Sequence, residues 1–321
     1  MTDRQTEQLG FISTIFRCYR ENFGLFWRIM LPLIIFSLLF EIGTTLSDSF
    51  FDSEGLWRFD TARGLFAGGY PRSIGVKWGM IFGFHSFSIG LLWLAMCPLT
   101  SAIIQRRRDM EVTVRNVWRR TRRKTGSILG ASFLLYLLGI GGLLCFLFLT
   151  LKIIPDMPDS PYSSSLCLGL FLIVGVIIYF GVNWSLYNQS IIIEDQMAIA
   201  ALRRSSALIR GVWGRTFGMY LLLALVTMVF TSVLLGLTLL VFSVTVPEFA
   251  PLREVLFSAK FFTLFFGGYA RISFEDAPSF WTVGVIVLVN TLVHAVLAPV
   301  WAILTTHLYL ERTGESGLAS E

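Results

Sequence analysis

The sequence predicts an all-α integral membrane protein of six transmembrane helices, and three features carry that class. Charged residues make up 15% of the 321 and hydrophobic ones 55%, where an ordinary soluble domain carries about 25% charged residues. The apolar residues fall in blocks long enough to cross a hydrocarbon core of roughly 30 Å as helices. Stretches such as FLLYLLGIGGLLCFLFLTL are apolar on every face rather than alternating, which excludes a transmembrane barrel.

The six expected spans are 24–47, 78–104, 127–151, 165–193, 217–246 and 280–310. The first is longer than the apolar core of a removable signal peptide and lacks a small-residue cleavage site, so it is expected to stay as a helix. Positively charged loops resist translocation, and the Lys/Arg balance fixes the orientation. With the N-terminus inside, residues 1–28, 105–125, 194–216 and 311–321 hold 4, 9, 4 and 1 of these cations, which is 18 of 26, and the outer segments hold 8. Both termini are therefore expected in the cytoplasm, the chain forming a single polytopic domain over 1–321 in a bacterial inner membrane.

Each odd-numbered span follows a short basic segment with helical periodicity. In the first, Leu9, Ile12, Phe16, Tyr19 and Phe23 form a stripe, with Thr14, Arg17 and Glu21 on other faces. In the second, Val114, Val117, Trp118 and Thr121 align against Asn116, Arg119 and Arg123. In the third, Ile199, Leu202, Ile209 and Trp213 align, with Arg204 and Arg215 opposite. An apolar stripe backed by Arg suits the headgroup plane, where long side chains snorkel to phosphate. The three segments read as interfacial elbows that turn the chain into the membrane.

The outer loops add a second sign of duplication: LFAGGYPR at 65–72 and LFFGGYAR at 264–271 agree at six of eight positions. The architecture predicted is three repeats of elbow helix plus transmembrane hairpin, over about 9–104, 111–193 and 197–310. In the paired loops Tyr70 and Tyr269 suit the headgroup layer, and Arg72 and Arg271 are placed to reach phosphate or a partner. On the inner side the run QRRRDMEVTVRNVWRRTRRK carries nine cations, each worth about 1 kcal/mol near an anionic leaflet. Arg106, Arg107, Arg108, Arg119 and Arg123 are its candidate contacts to anionic lipid headgroups. Topology already accounts for these charges, so nucleic acid is not the expected partner.

Polar side chains at membrane depth are costly and tend to face protein or water. They concentrate on the even-numbered spans, at His85, Ser86, Ser88, Asn183, Asn188, Gln189, Asn290, Thr291 and His294. Asn290 and His294 share one helical face. His85, Asn183, Asn290 and His294 form a candidate interior seam, which either ties the helices together or lines a path for a small solute. Pro98 and Pro299 interrupt the ladder of two return helices. No CxxC, phosphate loop, metal-ligand spacing or nucleophile–base set occurs, so no cofactor, metal or catalytic residue is expected. Cys145 and Cys167 fall near the outer ends of consecutive spans, where a bridge is geometrically open.

The third elbow and its flanks, SIIIEDQMAIAALRRSSALIRGVWGRTFGMYLLL, together with the ending APVWAILTTHLYLERTGES, resemble the membrane domain attached to some bacterial glycerophosphoryl diester phosphodiesterases and related stand-alone families. The matching positions are Glu194, Ala201, Leu202, Arg203, Arg204, Ser205 and Trp213, then Tyr309, Glu311 and Arg312. The resemblance covers 190–223 and 298–316 and implies a six-helix membrane module. The phosphodiesterase part has no counterpart in this sequence, so hydrolysis is not carried over. Two functions remain in view: a non-catalytic module organising lipid or a membrane or envelope protein partner, and a transporter or channel for a small solute.

Overall fold

The structure is a computed structural model and describes residues 13, 15–53, 94–153, 162–250, 252–257 and 280–314. The regular elements in chain order are α1 (15–21), α2 (Phe23–Ser53), α3 (94–107), α4 (Val114–Ile153), α5 (Tyr162–Asn183), α6 (Tyr187–Ile193), α7 (Ala198–Ile209), α8 (Trp213–Thr245), a 3-10 turn at Pro247–Phe249, α9 (Leu252–Leu256) and α10 (Phe280–Thr313). The described parts of the six predicted spans are helical except at Trp184–Leu186 within 165–193 and at Val246, the last residue of 217–246. Four helical segments among the described residues are long and apolar enough to cross a membrane: Phe23–Phe40, Phe171–Ile193, Trp213–Thr245 and Thr291–Thr313. The chain is a multi-pass helical membrane protein.

Side-chain exposure follows from that solvent. On α2 the residues Phe26, Ile29, Met30, Leu33 and Ile34 are buried at helical spacing, whereas Leu31, Ile35, Phe36 and Leu39 are exposed. Both stripes are apolar, as lipid on one side and protein on the other require. The same holds along α8, where Leu222, Val226, Phe230, Val233 and Leu237 are exposed. In water an apolar surface of that length would drive association.

The ends of the expected elbows differ. Asn22 forms a turn between α1 and α2, and its carbonyl accepts the first bond of α2, from Phe26 N at 3.0 Å. Between α7 and α8 the chain turns at 210–212, where Gly211 adopts φ +84°, a conformation that glycine reaches without a Cβ penalty. The second segment has no such break: α4 is one helix of 40 residues, because its first half is rich in Arg, a good helix former, and no left-handed residue interrupts it. The predicted elbow at 114–121 is thus the first part of a continuous helix.

Span 165–193 shows the opposite outcome, breaking into α5 and α6 at Trp184–Leu186. No glycine or proline stands at the break. Its cause is Ser205 of α7, whose hydroxyl donates to Asn183 O at 2.7 Å and accepts from Leu186 N at 3.0 Å. That side chain replaces the local ladder with a tertiary bond.

The chain divides into two compact units, one of Met1–Glu21, Met96–Leu222 and Val300–Glu321, the other of Asn22–Ala95 and Leu223–Pro299. In the first, α4 packs against α5, α6 and α7, and α7 also packs against α5 and α6. The approach is close at Gly130, where a Cβ would lie in van der Waals contact, 3.4 Å from the Ala198 Cβ. The helix α3 closes with a Schellman turn: Met110 N bonds to Gln105 O at 3.0 Å, Asp109 N to Arg106 O at 3.1 Å, and Asp109 takes φ 50°. In the second unit Leu235 and Leu239 of α8 bury against Phe249, Leu252 and Leu256, with Val285 and Val289 of α10 at the edge. Arg253 donates to Ser243 O at 2.8 Å there.

Candidate functional site

The first unit contains a buried polar seam built from α3, α6 and α10. Thr100, Ser101 and Gln105 come from α3, Asn188, Gln189 and Ser190 from α6, and Thr305 and Thr306 from α10, all under 9% exposed. Almost every group is consumed by a neighbour. Gln189 Nε2 donates to Thr305 Oγ1 at 2.7 Å, the Cys97 thiol donates to Asn188 Oδ1 at 3.2 Å, and Thr306 Oγ1 donates to Thr100 Oγ1 at 3.4 Å. Gln105 Nε2 reaches Ser101 Oγ at 3.1 Å. Of these seam residues only Gln189 leaves a buried side-chain atom, Oε1, without a partner among the described residues. Such pairing is how helices in an apolar solvent hold together, each bond contributing about 0.6 kcal/mol.

A charged cluster lies at the α6–α7 turn. Arg204 grips the Glu194 carboxylate with Nε at 3.1 Å from both oxygens and Nη2 at 3.0 Å from Oε1. Tyr309 of α10 donates its hydroxyl to the same Oε1, and Gln196 Nε2 donates to Oε2 at 3.2 Å. Glu194 holds the Arg204 guanidinium more firmly protonated than in water. Arg120 donates to Ile192 O at 3.0 Å, satisfying a carbonyl at the end of α6. Lys124, one turn further on, binds Asp195 at 2.8 Å. Asp195 takes φ 57° as the left-handed residue after the helix, a position that Asp tolerates.

The hydrogen bond from Lys124 holds the Asp195 carboxyl below the usual carboxylate range. A pKa lowered on folding contributes stability above the unfolded value near 3.9 and loses it as pH falls through the folded value. The difference in melting temperature between wild type and Lys124→Met is therefore expected to be largest at pH 5–7 and to shrink as pH falls below about 4 toward the lowered Asp195 value. A difference with no pH dependence between pH 7 and about pH 2 would remove this ion pair from the acid response. The effect is small, because Asp195 is mostly exposed.

The residues singled out in the sequence fall in several places. Arg106, Arg108, Arg119 and Arg123 are exposed. Arg107 turns inward, its Nη2 lying 2.9 Å and 2.7 Å from the two ring nitrogens of His307, and burial weakens its hold on the proton. Asn183 bonds within its own helix, Nδ2 to Tyr179 O at 3.0 Å. His294 is half-buried on α10 and Asn290 lies one turn before it on the same helix, its side chain outside the described residues. Tyr70, Arg72, His85, Tyr269 and Arg271 lie outside the described residues, as do the side chains of Cys145 and Cys167. Among the described residues no three His, Cys, Asp or Glu side chains gather as a metal site.

The motif positions of the third elbow are placed together. Ala201, Leu202 and Ser205 are buried against the bundle, Glu194 and Arg204 pair, and Arg203 faces outward. Trp213 stacks on Tyr179 at 6.0 Å and on Phe217 at 5.1 Å, and donates Nε1 to Tyr179 O at 3.4 Å. Glu311 receives Arg215 at 3.2 Å. The stripe expected to lie in lipid is split: Leu202 and Ile209 pack on protein, while Ile199 is exposed. In the second segment the stripe residues Val117 and Thr121 are buried.

A family described as a domain of unknown function, DUF7847, matches residues 87–311. The chain belongs to that family. The match takes in the seam, the Glu194 cluster and the α6–α7 turn, so the DUF7847 domain contains every side chain of the site described here. No curated protein and no solved structure matches the chain.

Proposed function

We propose that this DUF7847 chain is a non-catalytic membrane module of six spans in three elbow-and-hairpin repeats, with both termini in the cytoplasm of a bacterial cell, which scaffolds lipid or a membrane protein partner. The observation that supports it is the seam. A conducting path needs polar groups free to exchange water or solute along its length. Here the seam residues bond across α3, α6 and α10, and the inward arginine faces a histidine. Their arrangement is that of a tie between helices. The apolar stretch 127–151 of α4 and the α3 region supply the remaining two spans of the six-span reading.

The transport reading is separated by flux. Purified chain reconstituted into liposomes is expected to pass potassium and protons no faster than empty liposomes, while retaining lipid through purification. Potassium or proton flux clearly above the empty-liposome background would overturn the scaffold reading in favour of a path through the seam.

A further inference from the structure

We infer that the outward arginine face at the start of α4 is a docking site for an acidic segment of a soluble protein. The inference rests on the proposal that residues 127–151 cross the membrane. It concerns four cations that have no acidic partner among the described residues.

The face is built by helical spacing. Arg115, Arg119 and Arg122 recur at four and three residues, with Arg123 beside them, and all four are exposed. None of them bonds to a carboxylate among the described residues, whereas Arg120 and Lys124 on the other side of the same turns bind Ile192 O and Asp195. The helix thus sorts its cations: two close the fold and four point away.

Length decides what those four meet. An α-helix rises 1.5 Å per residue, so Arg115 lies roughly 18 Å and Arg119 roughly 12 Å along the axis from residue 127. A tilt of about 40° shortens these to roughly 14 and 9 Å. The headgroup layer is only about 5–7 Å thick on each side. Arg122 and Arg123 therefore fall at phosphate level, and Arg115 and Arg119 lie beyond it. The segment is held from folding down onto the bilayer, because α4 is continuous and its inner face, Val117 and Thr121, is buried.

The occupant follows from charge and shape. Arginines at this spacing repeat every 4.5–6 Å along the axis by helix geometry, which fits carboxylates at the same spacing on an opposing helix. A single-stranded nucleic acid would also need an aromatic stacking platform. The neighbouring aromatic, Trp118, is half-buried with its indole nitrogen enclosed.

The test uses the full chain in phosphatidylcholine nanodiscs. The probe is a fluorescent helical peptide with Glu at positions i, i+4 and i+7, followed by anisotropy. Wild type is expected to bind it with a salt-dependent affinity, and Arg115→Ala/Arg119→Ala to bind roughly five- to tenfold more weakly. The charge-keeping Arg115→Lys/Arg119→Lys is expected to retain most of the binding. Retention of phosphatidylglycerol through purification is expected to be the same in the alanine pair and in wild type. Absent peptide binding, or equal binding by the alanine pair, overturns the inference. So does a loss of phosphatidylglycerol in that pair, which would place these arginines at the bilayer, or tighter binding of a poly-U oligonucleotide of equal charge. Failure of the scaffold reading registers separately, as flux in liposomes.

Discussion

Replacing Glu194 by alanine is expected to destabilise the folded chain by about 2–3 kcal/mol, and Glu194→Gln by about half as much. Alanine strips the Tyr309 hydroxyl and the Arg204 guanidinium of their shared acceptor. Tyr309 is fully buried, so its hydroxyl has no ready route to water. The Arg204 side chain is 41% exposed and its guanidinium regains solvent, which keeps the ionic share of the loss small. Glutamine keeps an acceptor for Tyr309 and loses the charge. The measurement is thermal unfolding in detergent, with Tyr309→Phe completing a double-mutant cycle. Coupling of about 1 kcal/mol between the two positions is expected. Strict additivity, or an alanine variant within about 0.5 kcal/mol of wild type, would show that the cluster does not hold α10 to the α6–α7 turn.

Ser205→Ala is expected to cost about 2–4 kcal/mol, through the backbone rather than through packing. It leaves Leu186 N and Asn183 O without the hydroxyl that bridges them, in a place where Ser205 and Leu186 are both fully enclosed. Unpaired buried backbone groups carry most of that cost. Ser205→Thr keeps the bridge but adds a methyl to a filled site, with a smaller expected loss of about 1 kcal/mol. Amide exchange at Leu186 gives a second readout and is expected to speed up in the alanine variant only. If the Ser205→Ala variant were as stable as wild type, with unchanged exchange, the break between α5 and α6 would have another cause.

These two side chains also mark what the sequence made legible. Hydropathy located helical segments because the bilayer imposes length and apolarity locally, whereas the turn at Gly211 fell inside the segment read as one stripe from Ile199 to Trp213. The break at Trp184–Leu186 gave no local signal, since its cause stands 19 residues away on another helix. The continuity of α4 was hidden for a related reason: amphipathic periodicity describes a face and does not say whether lipid or protein covers it. Val117 and Thr121 proved to face protein. Polar depth pointed to Asn183, Asn290 and His294, yet much of the seam rests on Thr100, Ser101, Thr305 and Thr306, whose hydroxyls bond into a helix ladder as easily as across helices. Glu194, Arg204 and Tyr309 were all visible as motif positions, and only the fold joined them in one cluster.

The seam has a consequence for the order of assembly. Its closing bonds join residues far apart in the chain: Gln189 to Thr305 over 116 positions, Glu194 to Tyr309 over 115, Arg107 to His307 over 200 and Thr100 to Thr306 over 206. A chain made from its N-terminus presents α3, α6 and α7 long before α10 exists. Until that last helix arrives, Gln189 and Glu194 each lack an α10 partner, and Arg107 stands without His307. The polar tie is therefore complete only once the final helix is in place.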